Sequence, residues 1–181
     1  MRSGHAAVAL LTACCAVGIQ RCRPPVLIEK AVLGAPLPVF GDLPLQPSTS
    51  IALRDAGVTK PTPIQQATMM PLWRGESAVI HSATGSGKTL AYLLPLLQRL
   101  HVSKPGQLLV IVPSRELAMQ TAAAVEWTWP HHGTQRAFLL TATASPAPDL
   151  VEAMRKAACP VIVATPRPLL SLVRHLVSTD P

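Results

Sequence analysis

Eight consecutive residues, Ser82-Ala83-Thr84-Gly85-Ser86-Gly87-Lys88-Thr89, combine small side chains, two glycines, one cation and a closing hydroxyl at Thr89 in the order that cradles a polyphosphate. Gly85 and Gly87 permit backbone angles and a close approach that a Cβ would block. The N–H groups of such a loop, and of the helix it opens, point at an anion. Lys88 is placed to reach β- and γ-phosphates, and the Thr89 hydroxyl to sit on Mg²⁺. The strict form of this pattern begins with glycine where Ser82 stands, a position at which a small residue suffices. A glycine-rich turn without a ligand is the plainer alternative. Gly-Lys-Thr at the start of a helix argues against it, so the stretch reads as a site for a nucleoside triphosphate.

The elements that must hold this loop are legible on both sides of it. Ala78-Val79-Ile80 reads as a buried strand, and the Leu-rich segment from Leu90 to Leu100 has helical spacing. Further on, strands are expected at Gln107–Val112, Ala137–Leu140 and Val161–Ala164. Helices are expected at Arg115–Trp127, Asp149–Ala158 and Pro168–Val177, the last with Leu169, Leu170, Leu172 and Val173 on its apolar face. Continuous Val/Ile/Leu strands alternating with helices predict an α/β fold, a parallel sheet covered on both faces in three layers. Ligands of such sheets bind beyond the carboxyl ends of the strands. Upstream, Phe40-Gly41-Asp42-Leu43 opens the folded part. Ser50 is expected to cap a helix over Ile51–Ala56 that Gly57 ends. Lys60-Pro61-Thr62-Pro63-Ile64-Gln65 is an extended turn that enters a second helix at Pro63.

Composition sets outer bounds. At 181 residues and 49% hydrophobic, the chain is about one folded domain. Its 16 Lys+Arg against 9 Asp+Glu give a formal charge of +7, which suits a polyanionic partner, nucleic acid or an anionic surface. Aromatics at 3% argue against a broad base-stacking platform. Cys14, Cys15, Cys22 and Cys159 lack the paired spacing of a zinc site and read as free thiols in a reducing compartment. His131-His132, being adjacent, lack the spacing that puts two ligands on one helix face. Trp127 and Trp129 read as packing residues.

Residues 1–30 differ from the rest. An apolar run from Ala6 to Ile19 is flanked by Arg2, Arg21 and Arg23, with no acidic residue before Glu29. The run is too short to cross a membrane. A transit peptide, a disordered extension and a secretory signal all stand open. The first makes the location mitochondrial or another organelle; otherwise it is cytoplasmic or nuclear. Residues 31–39 read as a Pro-rich linker, and 40–181 as the folded part.

With these pieces in order, the chain resembles the first RecA-like domain of a DEAD-box RNA helicase, over about Phe40 to Val177. Phe40, Gly57 and Pro61-Thr62-Pro63-Ile64-Gln65 match the family's Q motif. Thr84 to Leu90 matches motif I, and Pro113-Ser114-Arg115-Glu116-Leu117-Ala118 matches motif Ia with Ser114 where Thr is usual. Ala164-Thr165-Pro166-Arg167 resembles the start of motif Ib. The resemblance implies ATP and Mg²⁺ as cofactors and RNA, gripped by its backbone, as partner, with ribonucleoprotein or ribosome-assembly partners and no membrane. It implies a cofactor site of Phe40, Lys60, Gln65 and Ala83 to Thr89, with Lys88 catalytic and Thr89 at the metal. Phe40 would stack on the base. A Gln amide matches the donor and acceptor edge of adenine, and such a pair discriminates bases by about 1–3 kcal/mol, so Gln65 implies ATP over GTP. Pro113, Ser114, Arg115, Thr165, Pro166 and Arg167 would contact RNA phosphates without reading sequence.

The chain also departs from the family. Thr165-Pro166-Arg167-Pro168 stands where Thr-Pro-Gly-Arg is usual, and Leu139 to Thr143 where a Gly-Gly pair belongs. No Asp-Glu-Ala-Asp or similar acidic motif occurs in the 181 residues. That motif holds Mg²⁺ and helps position the attacking water. The RecA-like domain is therefore expected to be incomplete in this polypeptide, which should hold nucleotide weakly and not hydrolyse it. A non-catalytic module that binds adenine nucleotide or RNA is the second reading, and an unrelated P-loop kinase or NTPase the third.

Overall fold

A computed structural model describes residues 39–101, 103–130, 135–141 and 147–179. The N-terminal segment, Cys14, Cys15, Cys22, His131-His132 and residues 142–146 lie outside them. The chain divides into two compact units, each considered by itself.

One unit, described over residues 39–100 and 124–130, contains the phosphate loop. A short antiparallel hairpin pairs β1 (Val39–Phe40) with β2 (Leu43–Pro44) around Gly41, whose φ of 62° few other residues adopt. Helices α1 (Pro47–Asp55), α2 (Pro63–Arg74) and α3 (Lys88–Leu97) follow. Helix α1 starts earlier than Ser50 predicts. Pro47, with no N–H to leave unpaired and φ fixed near the helical value, begins it after an extended Gln46, and Ser50 lies inside. Its end is as expected: Gly57, at φ 75°, donates to Arg54 O and lets Val58 N–H reach Leu53 O at 2.8 Å. Phe40, Leu43, Leu45, Leu53, Met69 and Leu94 form the unit's core, with Val58, Trp73 and Leu90 packed on it.

Partly buried polar bonds lock the same unit. Gln98 Oε1 accepts from Gln46 N–H at 2.6 Å, and Trp129 Nε1 donates to Gln46 Oε1 at 3.0 Å. The cap of α1 is thereby tied to the end of α3 and to Trp129, which is buried as a packing residue should be. Trp127 is 37% exposed.

The expected strand at Ala78–Ile80 does not form. Val79 is 98% exposed, and among the described residues no strand pairs with this stretch. Three apolar residues between Ser77 and His81 give too short a run to stay extended without a ladder partner, since the pairing itself makes a strand.

The second unit, described over 101, 103–123, 135–141 and 147–179, is a parallel sheet in the order β3-β5-β4. Its strands are β3 (Leu108–Ile111), β4 (Ala137–Leu140) and β5 (Val161–Ala164), and the register pairs Leu108 and Ala137 with Val161, and Ile111 and Leu140 with Ala164. The central strand β5 is buried throughout. β3 is shorter than expected and half-buried, with Ile111 55% exposed, because it is an edge strand among the described residues. Helix α4 (Arg115–Thr128) follows β3. Helices α5 (Ala147–Ala157) and α6 (Pro166–Thr179) set Leu150, Val151, Met154, Leu169, Leu172 and Leu176 against Leu140, Ile162 and Ala164. α6 begins at Pro166 rather than Pro168, again because proline suits a first turn. Leu170 does not join its apolar face; it is half exposed, and Leu176 is buried instead.

Candidate nucleotide and nucleic-acid sites

The phosphate loop is built around backbone angles that residues other than glycine rarely adopt. Gly85 and Gly87 have φ of 77° and 91°, and Gly87 is the N-cap of α3. The first-turn N–H groups of α3 have no intrahelical acceptor, which leaves them to an anion. Lys88 and Thr89 are the first two residues of that helix, both partly buried. The Lys88 ammonium donates to Ser82 O at 2.7 Å and to Ala83 O at 2.6 Å. The cation thus lies inside the loop, on the loop's own carbonyls.

The Q-motif residues meet the loop directly. Thr62 and Gln65 form a capping box at the start of α2, where Gln65 Oε1 accepts from Thr62 N–H at 2.9 Å. From this box Thr62 Oγ1 donates to Ser86 O at 2.9 Å, and Gln65 Nε2 donates to Gly87 O at 3.1 Å. A Cβ on Gly87 would stand 2.5 Å from Gln65 Nε2, so loop and box fit only with glycine there. Gln65 is 2% exposed. Its amide, expected to face adenine, is engaged on both sides within the protein. Phe40, expected to stack on a base, is 5% exposed and lies in the core instead of offering an open ring face. Lys60 and the small residues Ala83, Thr84 and Gly85 are exposed, and Ser86 is half-buried.

This geometry suits a nucleoside triphosphate. A Cβ at Gly87 would crowd the Gln65 amide, the first-turn N–H groups have no intrahelical acceptor, and Lys88 and Thr89 are consecutive residues. Lys88 would hold the β- and γ-phosphates and Thr89 the metal, which would neutralise phosphate charge when bound.

A second set of residues gathers at the carboxyl end of the sheet. Pro113, Ser114 and Arg115 follow β3, and Thr165, Pro166 and Arg167 follow β5, its neighbour in register. Val112 N–H donates to Ala164 O at 2.9 Å, so the strands end level. Arg115 and Arg167 are exposed, each in the first turn of its helix. Ser114 caps α4, its Oγ accepting from Leu117 N–H at 3.2 Å. The Glu116 carboxyl beside it is held below the usual carboxylate range, chiefly by a hydrogen bond from its own backbone N–H and then by the Ser114 hydroxyl. The missing glycine of the Thr-Pro-Gly-Arg pattern is accounted for locally: Pro166-Arg167-Pro168 is already helix, needing no flexible residue.

Comparison with known proteins identifies the family and the fold. The DEAD/DEAH box helicase family model matches residues 62–179. DEAD-box ATP-dependent RNA helicase 26 of Oryza sativa is 36% identical over 130 residues, covering 70% of this chain and 24% of its own length. ATP-dependent RNA helicase SrmB of Escherichia coli is 44% identical over 88 residues, 46% of this chain and 20% of that protein. Among solved structures, a hypothetical ATP-dependent RNA helicase from Sulfolobus tokodaii superposes with a TM-score of 0.60 at 27% identity, over 72% of this chain and 37% of that one. A DEAD-box helicase bound to single-stranded RNA and UDP-BeF shares the fold, with a TM-score of 0.60 at 24% identity. The chain belongs to the DEAD/DEAH box helicase family, and its α/β architecture is that of a RecA-like helicase domain. It spans about a quarter or less of the curated relatives named here.

Sequence reasoning missed two parts of the site. One is the engagement of Gln65 with Gly87, which capping-box spacing could have suggested. The other is the Ser82 side chain, whose hydroxyl lies 2.6 Å from that of Ser86.

Proposed function

We propose that this chain supplies the ATP-binding face and part of the RNA-binding face of an ATP-dependent RNA helicase. The observation that carries the reading is the glycine-containing loop at the start of α3, with Lys88 and Thr89 in its first turn and the Thr62–Gln65 box tied to its last two carbonyls. In this reading Lys88 leaves its two carbonyls for the phosphates, Thr89 holds Mg²⁺, and Arg115 and Arg167 contact RNA phosphates. Hydrolysis in the family also calls on an acidic motif that these 181 residues do not contain.

A fluorescent ATP analogue titrated with Mg²⁺ tests the reading, with Lys88→Ala as control. Binding that Lys88→Ala reduces at least tenfold is expected, since it removes a charge-assisted phosphate contact. Equal binding by both would overturn it. The 181-residue polypeptide alone should show no ATP hydrolysis above the Lys88→Ala background, measured as phosphate release. Turnover above that background would refute this expectation.

A further inference from the structure

Ser82 stands where the strict phosphate-loop pattern has glycine, and its side chain has no part in the nucleotide reading above. Its hydroxyl meets that of Ser86 at 2.6 Å across the neck of the loop. Ser86 is held from outside, its carbonyl accepting from Thr62 Oγ1 at 2.9 Å. The Ser82 carbonyl in turn accepts from Lys88 Nζ at 2.7 Å, next to Ala83 O at 2.6 Å. These contacts run as one chain. The cap of α2 fixes Ser86, Ser86 fixes Ser82, and Ser82 presents one of the two carbonyls that hold the ammonium. A polyphosphate entering the loop must draw Lys88 off those carbonyls and let residues 82–86 spread. Apparent affinity falls in proportion to the fraction of molecules in the receptive arrangement.

We propose that Ser82 sets the nucleotide affinity of this site by latching the loop closed over Lys88. The inference rests on the nucleotide-binding reading above. Alanine at 82 keeps the carbonyl that Lys88 uses and removes only the hydroxyl tie, so the closed arrangement loses one neutral hydrogen bond. Ser82→Ala should therefore bind labelled ADP with Mg²⁺ about two- to tenfold more tightly than the parent chain.

The test is a fluorescence titration of labelled ADP into the full chain, Ser82→Ala, Ser86→Ala and the double variant, with Lys88→Ala as control. Tighter binding by each single variant is expected, with no further gain in the double, because both remove the same bond. Unchanged or weaker binding by a folded Ser82→Ala overturns the proposal. A second arm requires no gain in affinity: the nucleotide-free Ser82→Cys/Ser86→Cys variant is treated with oxidised glutathione. A disulfide between the two positions, identified by peptide mass, should abolish ADP binding until dithiothreitol restores it. Failure to cross-link shows that the side chains do not meet, and overturns the latch. If no form binds ADP in a Lys88-dependent way, the nucleotide reading falls and the role of Ser82 with it. If the parent binds and Ser82→Ala gains nothing, only the role of Ser82 falls.

Discussion

Gln65 shows how one side chain can decide between two accounts of base preference. Its amide accepts from Thr62 N–H and donates to Gly87 O in a nearly dry setting. Removing it leaves buried polar groups unpaired, at a cost of about 1–3 kcal/mol, and frees the end of the phosphate loop. Gln65→Ala should therefore weaken ATP and GTP binding by similar factors and lower the melting temperature. A Gln that reads adenine directly would instead cost ATP alone about 1–3 kcal/mol. Parallel titrations of the two nucleotides separate these outcomes. Residue identity was legible here from the sequence, since the motif spacing singles out Gln65 and Lys88. Their partners were less legible: the spacing of Thr62 and Gln65 is a local capping-box signature, but the bonds that tie this box to Ser86 and Gly87 are tertiary. Phe40 carries the same lesson: an aromatic next to a glycine turn suits a ligand or a core equally well, and packing with Leu43, Leu53 and Met69 settles on the core.

Among the elements, helix ends were read best where glycine or proline enforces them. Pro63 and Gly57 fall where expected, while Ser50, a permissive cap, was outranked by Pro47. One helix end breaks the pattern. Ala158, just after α5, has φ 48° and donates to Met154 O at 3.1 Å, a left-handed cap built without glycine. Relief of the Cβ clash outweighs the greater freedom glycine has when unfolded. Ala158→Gly should stabilise the chain by about 0.5–1 kcal/mol in a denaturant melt. The strands after the phosphate loop were legible as Val/Ile/Leu runs, and β4 and β5 match their expected bounds. The stretch at Ala78–Ile80 has the same composition and forms no strand, because pairing depends on neighbours that a local run cannot reveal.

At the scale of the molecule, the +7 charge suggested a polyanionic partner without locating it. The parallel sheet locates the candidate surface by bringing residues 113–115 and 165–167, far apart in sequence, to one end of neighbouring strands. Arg115→Ala and Arg167→Ala should each weaken binding of single-stranded RNA by a similar factor whatever its sequence. Each should also make the dependence of log K on log salt shallower by somewhat less than one. A loss confined to particular sequences would contradict backbone recognition. Had β3 and β5 run antiparallel, their outgoing loops would open at opposite ends of the sheet, a strand length of about 13 Å apart for four residues. Level and parallel, the strand ends lie one sheet spacing apart, about 4.8 Å. The ladder thus sets the loops after β3 and β5 side by side, far closer together than an antiparallel pairing of the same strands would allow.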